Sequence, residues 1–135
     1  NVFAGNDKAT VVTDTGVISD DILRRLDDTT LLVLEANYDP HMLRFGPYQP
    51  FLKQRVASDE GHLSNEMAAQ ALLMMKRPNF MQVILAHRSE NNNNAVLVTQ
   101  TIGKMLVDGG VRIGPEMKLQ HGQPNEIVSI QSVKR

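Results

Sequence analysis

The chain has no cysteine and no tryptophan, and aromatic residues make up only 4% of it. Each absence removes a class of protein. Without Cys there can be no disulfide framework and no thiolate metal site. With so few aromatic rings, any core must be aliphatic, and the seven Met residues supply its adaptable filler. No run approaches the ~18 apolar residues of a membrane-spanning helix. Charge of one sign is missing too: 14 Lys and Arg against 15 Asp and Glu leave a net charge of −1. No large basic field exists to grip nucleic acid by charge alone, which excludes a non-specific binder but not an enzyme that meets phosphates at a metal. The stretch Asn1 to Asn6 has neither Met nor a basic n-region, so it is no signal peptide. It reads as a chain entered partway through, and the cytoplasm is the expected compartment.

What is present is the balance of a globular protein. Hydrophobic residues make up 41% and charged residues 21% of 135, one domain spanning 1–135 and able to bury roughly two thirds of its unfolded surface. Ala9 to Thr13 is β-branched and reads as a buried strand. Ser19 offers an N-cap to a helix ending near Asp28, with Asp20 and Asp21 in its first turn. Leu31 to Leu34 is a second apolar run. Residues 37–50 are broken by Pro40, Gly46, Pro47 and Pro50 and read as irregular. A short helix is expected over Phe51 to Ala57. A stronger one, capped by Ser64 or Asn65, carries a core stripe of Met67, Ala68, Ala71, Leu72 and Met75. Val83 to Ala86 is a third apolar run, Ala95 to Val107 a helix stopped by Gly109 and Gly110, and Ile127 to Val133 an edge strand. Strands alternating with helices predict an α/β fold with a small, mostly parallel sheet of four strands covered by helices.

Three apolar runs end in an ionisable residue: Asp14, Glu35 and His87. In a parallel sheet all three ends fall on the carboxyl edge, where open α/β sheets bind their ligands. Two carboxylates and one imidazole converging there suit a hard or borderline divalent metal.

Several motifs lie around those ends. Leu34-Glu35-Ala36-Asn37-Tyr38-Asp39 is followed by Met42-Leu43, Gly46-Pro47-Tyr48, Leu52-Lys53 and Arg55. Ser58-Asp59-Glu60-Gly61-His62-Leu63-Ser64-Asn65 and Leu85-Ala86-His87-Arg88-Ser89-Glu90-Asn91-Asn92 come next, with Val12-Thr13-Asp14-Thr15-Gly16 upstream. Together they resemble the YycJ/WalJ-like branch of the metallo-β-lactamase fold over about residues 9–107. The resemblance implies half of a four-layered αββα sandwich, the C-terminal half. It implies two divalent metal ions, zinc or manganese, and hydrolysis of a phosphodiester such as nucleic acid. It implies that Asp14 bridges the metals, that His87 ligates the second, that His62 protonates the leaving oxygen and that Glu35 orients His62. Physical chemistry accommodates these roles, since paired cations need a bridging anion and a departing alkoxide needs a proton.

The departure from the family is as informative. Its His-x-His-x-Asp-His motif is absent, and the four His stand at 41, 62, 87 and 121, none at ligand spacing. One bridging Asp and one His cannot hold a metal pair. The chain alone is therefore expected to bind metal weakly and to have little activity. A half-sandwich is also expected to expose an apolar sheet face, and so to pair with a missing N-terminal half or with itself. His41, Arg44 and Tyr48, on the broken loop, are candidates for contacting substrate, with a solvated loop as the alternative. Asn91 and Asn92 are expected to fix the loop that presents His87, with substrate contact as the alternative. Lys53 and Arg55 read as a solvated helix face, and His121 sits in an expected turn without a role. The main reading is a metal-dependent phosphodiesterase or nuclease. The alternatives are a non-catalytic binding or assembly module on the same fold, or esterase chemistry, because fold does not fix substrate.

Overall fold

The computed structural model describes residues 1–130. Five strands form one sheet in the order β1 (Val2–Ala4), β2 (Asp7–Val12), β3 (Leu31–Glu35), β4 (Met81–Ala86) and β5 (Met117–His121). β2 through β5 run parallel, in sequence order. This is the mostly parallel α/β sheet expected of half a metallo-β-lactamase sandwich. β1 adds an antiparallel edge, which was not expected. Its signal was the Gly5-Asn6 pair, with Gly5 at φ +59°, a two-residue turn chemistry of hairpins.

The last strand also differs from expectation. Met117-Lys118-Leu119-Gln120-His121 takes the place assigned to Ile127 to Val133. Residues 127–130 form no strand, and 131–133 lie outside the described residues. Both segments alternate, but Met117 is fully buried whereas Ile127 and Ile130 are exposed, and burial decides which alternating run enters the sheet.

Successive parallel strands need right-handed crossovers, and an unreversed strand order puts every crossover on the same face. Accordingly α1 (Asp20–Leu26), α4 (Asn65–Met74) and α5 (Ala95–Asp108) supply Leu26, Ala68, Leu72, Val98, Ile102 and Leu106 to one core. The sheet supplies Leu32, Leu34, Val83, Leu85 and Met117. Ser19 and Ser64 cap α1 and α4, accepting from the backbone N–H of Ile22 and Met67. Two further short helices lie between β3 and α4: α2 (Pro40–Phe45) and α3 (Pro50–Val56). α2 corrects the irregular reading of 37–50, because Pro40 sits in the first turn behind an Asp39 cap, where its missing N–H is harmless.

On the opposite sheet face the register aligns Val11, Val33 and Ile84. Val11 is 66% exposed, while Gly122 seats against Ile84 and Ala86. No helix of the described residues is long and apolar enough to cross a membrane.

Leu72→Ala, at a fully buried position where α4 meets the sheet, is expected to cost about 2–5 kcal/mol. Urea unfolding should show a lowered midpoint with an unchanged slope.

Candidate metal centre

The carboxyl edge gathers the expected residues. Asp14, Glu35, His62 and His87 each offer a ligand atom within 4.8 Å of the others. Asp14 follows β2, Glu35 ends β3 and His87 follows β4. His62 comes from the loop before α4, which runs beside the end of β3 through an isolated bridge between Tyr38 and Ser64.

Glu35 is the centre of the arrangement. It is 0% exposed, and its Oε1 lies 2.7 Å from His62 Nδ1 and 2.5 Å from His87 Nδ1. Its Oε2 accepts from the backbone N–H of Asp14 (3.1 Å) and of Leu63 (3.4 Å). A carboxylate taken out of water needs such partners, and here it has four. It therefore orients both rings, not His62 alone. The rings stand 5.2 Å apart, centroid to centroid. Asp14 Oδ1 lies 3.8 Å from His62 Nδ1 and 3.7 Å from His87 Nδ1.

The backbone turns sharply where Asp14 and His87 leave the sheet. Asp14 and His87 have φ of +58° and +55°, a left-handed conformation that Asp tolerates and that costs His roughly 1 kcal/mol or more. The surrounding bonds hold it there. The Asn37 side chain donates to the His87 carbonyl (2.7 Å), and Ser89 N–H donates to Asn37 O (2.8 Å). Gly16 and Gly61 permit close approach of the two loops. A Cβ on Gly16 would stand 1.7 Å from Ser58 O, and one on Gly61 would stand 2.2 Å from Arg55 O and Val56 O.

The polar segment after β4 is a buried support. Asn93 Nδ2 donates to Ala36 O (3.1 Å) and Asn65 Oδ1 (2.8 Å), and Asn65 Nδ2 donates back to Asn93 Oδ1 (3.1 Å). Asn94 caps α5. Asn92 is buried, and its carbonyl accepts from Asp39 N–H (2.8 Å), while Asn91 is exposed. The sequence reading took Asn65 only as a candidate helix cap and gave Asn37 and Asn93 no supporting role. Their only signal was amides standing directly beside strand ends and a helix start.

Of the substrate candidates, Tyr48 lines a cavity of about 430 Å³ together with Asp14, Arg55, Glu60 and His62. His41 and Arg44 are exposed on α2, and neither lines that cavity. Arg55 is exposed on α3, as a solvated helix face would have it, and also borders the cavity. Lys53 Nζ instead donates to Arg44 O (2.7 Å), tying α3 to α2. His121 ends β5 rather than occupying a turn, and its Nε2 lies 2.8 Å from Thr99 Oγ1. Burial, and secondarily the charge of Arg88, hold its pKa below the ordinary histidine value, which suits a neutral structural ring.

The donor set fits a divalent metal in part. Metal-ligating histidines commonly engage one ring nitrogen with a carboxylate and ligate through the other, and Glu35 engages Nδ1 on both rings. Among the described residues, Asp14, Glu35, His62 and His87 form the group that could hold an ion. A metal pair needs more ligands than these.

No family model matches the chain, and no solved structure does. It is 33% identical over 128 residues to Exodeoxyribonuclease YycJ of Bacillus anthracis, covering 95% of this chain and 48% of that protein. It is 35% identical over 124 residues to Exodeoxyribonuclease WalJ of Streptococcus pneumoniae serotype 2, covering 91% and 46% respectively. The chain spans about half the length of the curated relatives it matches.

Two outcomes test this geometry. An ionised carboxylate only accepts hydrogen bonds, so both rings should carry a proton on Nδ1. Long-range ¹H–¹⁵N spectra should show this for His62 and His87, with both patterns changing together in Glu35→Gln; a neutral ring protonated only on Nε2 would contradict the shared contact. Gly61→Ala should force the His62 loop off α3, lowering stability by about 1–3 kcal/mol and shifting the His62 resonances more than those of His121.

Proposed function

We propose that this chain, which belongs to the YycJ/WalJ-like branch of the metallo-β-lactamase-fold hydrolases, is the C-terminal half of a metal-dependent nuclease. The observation that carries the proposal is the buried Glu35 holding two imidazoles beside an exposed carboxylate. Such a constellation positions ligands and a proton donor together, whereas a purely structural role would leave the polar ends of these groups satisfied and turned inward.

In this reading Asp14 and His87 would hold zinc or manganese together with ligands from the preceding half, and the ions would supply Lewis acidity for activating water and offsetting phosphate charge. His62 gives its proton to the departing oxygen, and Glu35 keeps the ring oriented for that transfer. The names of the relatives, both exodeoxyribonucleases, support DNA as the substrate. The missing ligands come from a preceding half whose sheet packs on the face that carries the exposed Val11 and the half-buried Val33, with self-association through that face as the substitute when it is lacking. A cytoplasmic setting suits such an enzyme.

The longer protein, supplied with Mn²⁺ or Zn²⁺, is expected to bind two ions and hydrolyse DNA, while this half alone does neither efficiently. His62→Gln should lower kcat by about 10²–10⁴ with metal content retained, and Asp14→Asn should reduce metal stoichiometry as well as rate. Normal hydrolysis in both variants would sink the assignment. Failure of the completed protein to bind metal would favour an assembly module instead.

A further inference from the structure

The sheet face that points away from the core is covered unevenly. Val11 on β2 is 66% exposed, whereas Ile84 on β4, aligned with it through Val33, is only 8% exposed. Side chains stand upright from a sheet, and flanking strands alone do not close one off, so something lies over the β4 end. The chain beyond β5 is placed to do this. Gly122 N–H donates to Leu85 O (2.8 Å). A Cβ on Gly122 would stand 3.5 Å from that of Ala86, nearer than the ~4.8 Å between paired strands, so the backbone leans inward as it leaves the sheet. Asn125, at φ +65°, takes the left-handed conformation that Asn tolerates in turns, and Glu126 N–H donates to Gln123 O (3.4 Å). After that turn the chain comes back, and Ser129 O accepts from Gln120 Nε2 (3.4 Å). Gln120 pairs in register with Ile84 and lies on the same face.

This cover is loosely made. Ile127 and Ile130 are 96% and 48% exposed, so the returning leg turns its largest apolar groups outward. The bond that ties it to Gln120 is long. Gln120 Oε1 is buried without a hydrogen-bond partner among the described residues, and an unsatisfied buried oxygen favours release of whatever covers it. We propose that residues 123–130 form a removable strap. They cover the β4–β5 part of the face while no partner sheet lies on it, and the sheet of the preceding half displaces them when it packs. The proposal rests on the reading that a preceding half packs there, and it adds what occupies that ground first. Ile84 stands two strands from Val11, ~10 Å away, so a sheet laid on Val11 and Val33 also reaches Ile84. Packed sheets lie ~10 Å apart with their side chains interdigitated, which leaves no room for a length of backbone between them. Strap and partner sheet therefore exclude each other, and the strap reduces the apolar area open to misdirected association.

The chain has no cysteine, so Ser129→Cys gives one site for a nitroxide label. Ser129 is exposed and meets Gln120 through its carbonyl, which leaves its side chain free to be replaced. Paramagnetic broadening is read at the amides of Ile84 and Gln120, first in this chain and then in the longer protein with any cysteine of the preceding half replaced by Ser. The chemical shift of the Val11 amide reports independently whether a partner sheet has packed. In this chain, broadening is expected to be stronger at Ile84 and Gln120 than at Val11. In the longer protein, that broadening should be lost and the Val11 resonance shifted. The strap is overturned if Ile84 and Gln120 are broadened no more than Val11 in this chain. It is also overturned if the broadening is retained in the longer protein while Val11 shifts, since the tail is then a fixed part of the packed fold. Loss of broadening with Val11 unshifted would leave a removable strap and sink the packing reading. Retained broadening with Val11 unshifted would sink both.

Discussion

A carboxylate buried away from water is the constraint around which the carboxyl edge is built. Glu35 has no solvent to satisfy it, so the loops that pass over it must bring donors. Asp14 and Leu63 bring backbone N–H groups, and His62 and His87 bring rings. The same requirement fixes where those four residues can be. Leaving Glu35 unpaired would cost several kcal/mol, more than the left-handed backbone at Asp14 and His87 costs. The strain at Asp14 and His87 is thus sustained by the partner they share.

Beyond that centre, support passes outward through amides and glycines. Asn37 holds the backbone of His87, and the reciprocal Asn65–Asn93 pair locks the start of α4 to the loop before α5. Gly16 and Gly61 let carbonyls approach where a methyl group would collide. Their effect is to fix the loops that carry Asp14, His62 and His87 around Glu35.

The parts of this site that lie at strand ends were legible from the sequence. Asp14, Glu35 and His87 each close an apolar run, and parallel pairing brings such ends to one edge, as the register confirms. His62 ends no strand, so only its motif pointed to it; its placement depends on the loop that follows α3. The buried amides were illegible because Asn is ordinarily a turn residue, and a reciprocal pair between residues 28 apart leaves no local pattern. β5 and the segment after it alternate alike, and burial alone separates them. Arg55 reads as a helix-surface cation and is one, and only the fold shows that it also borders the cavity.

The hairpin at the start of the chain also limits how copies could add to one another. β1 caps the β2 side with only three residues, too short a template for a further strand to hold firmly.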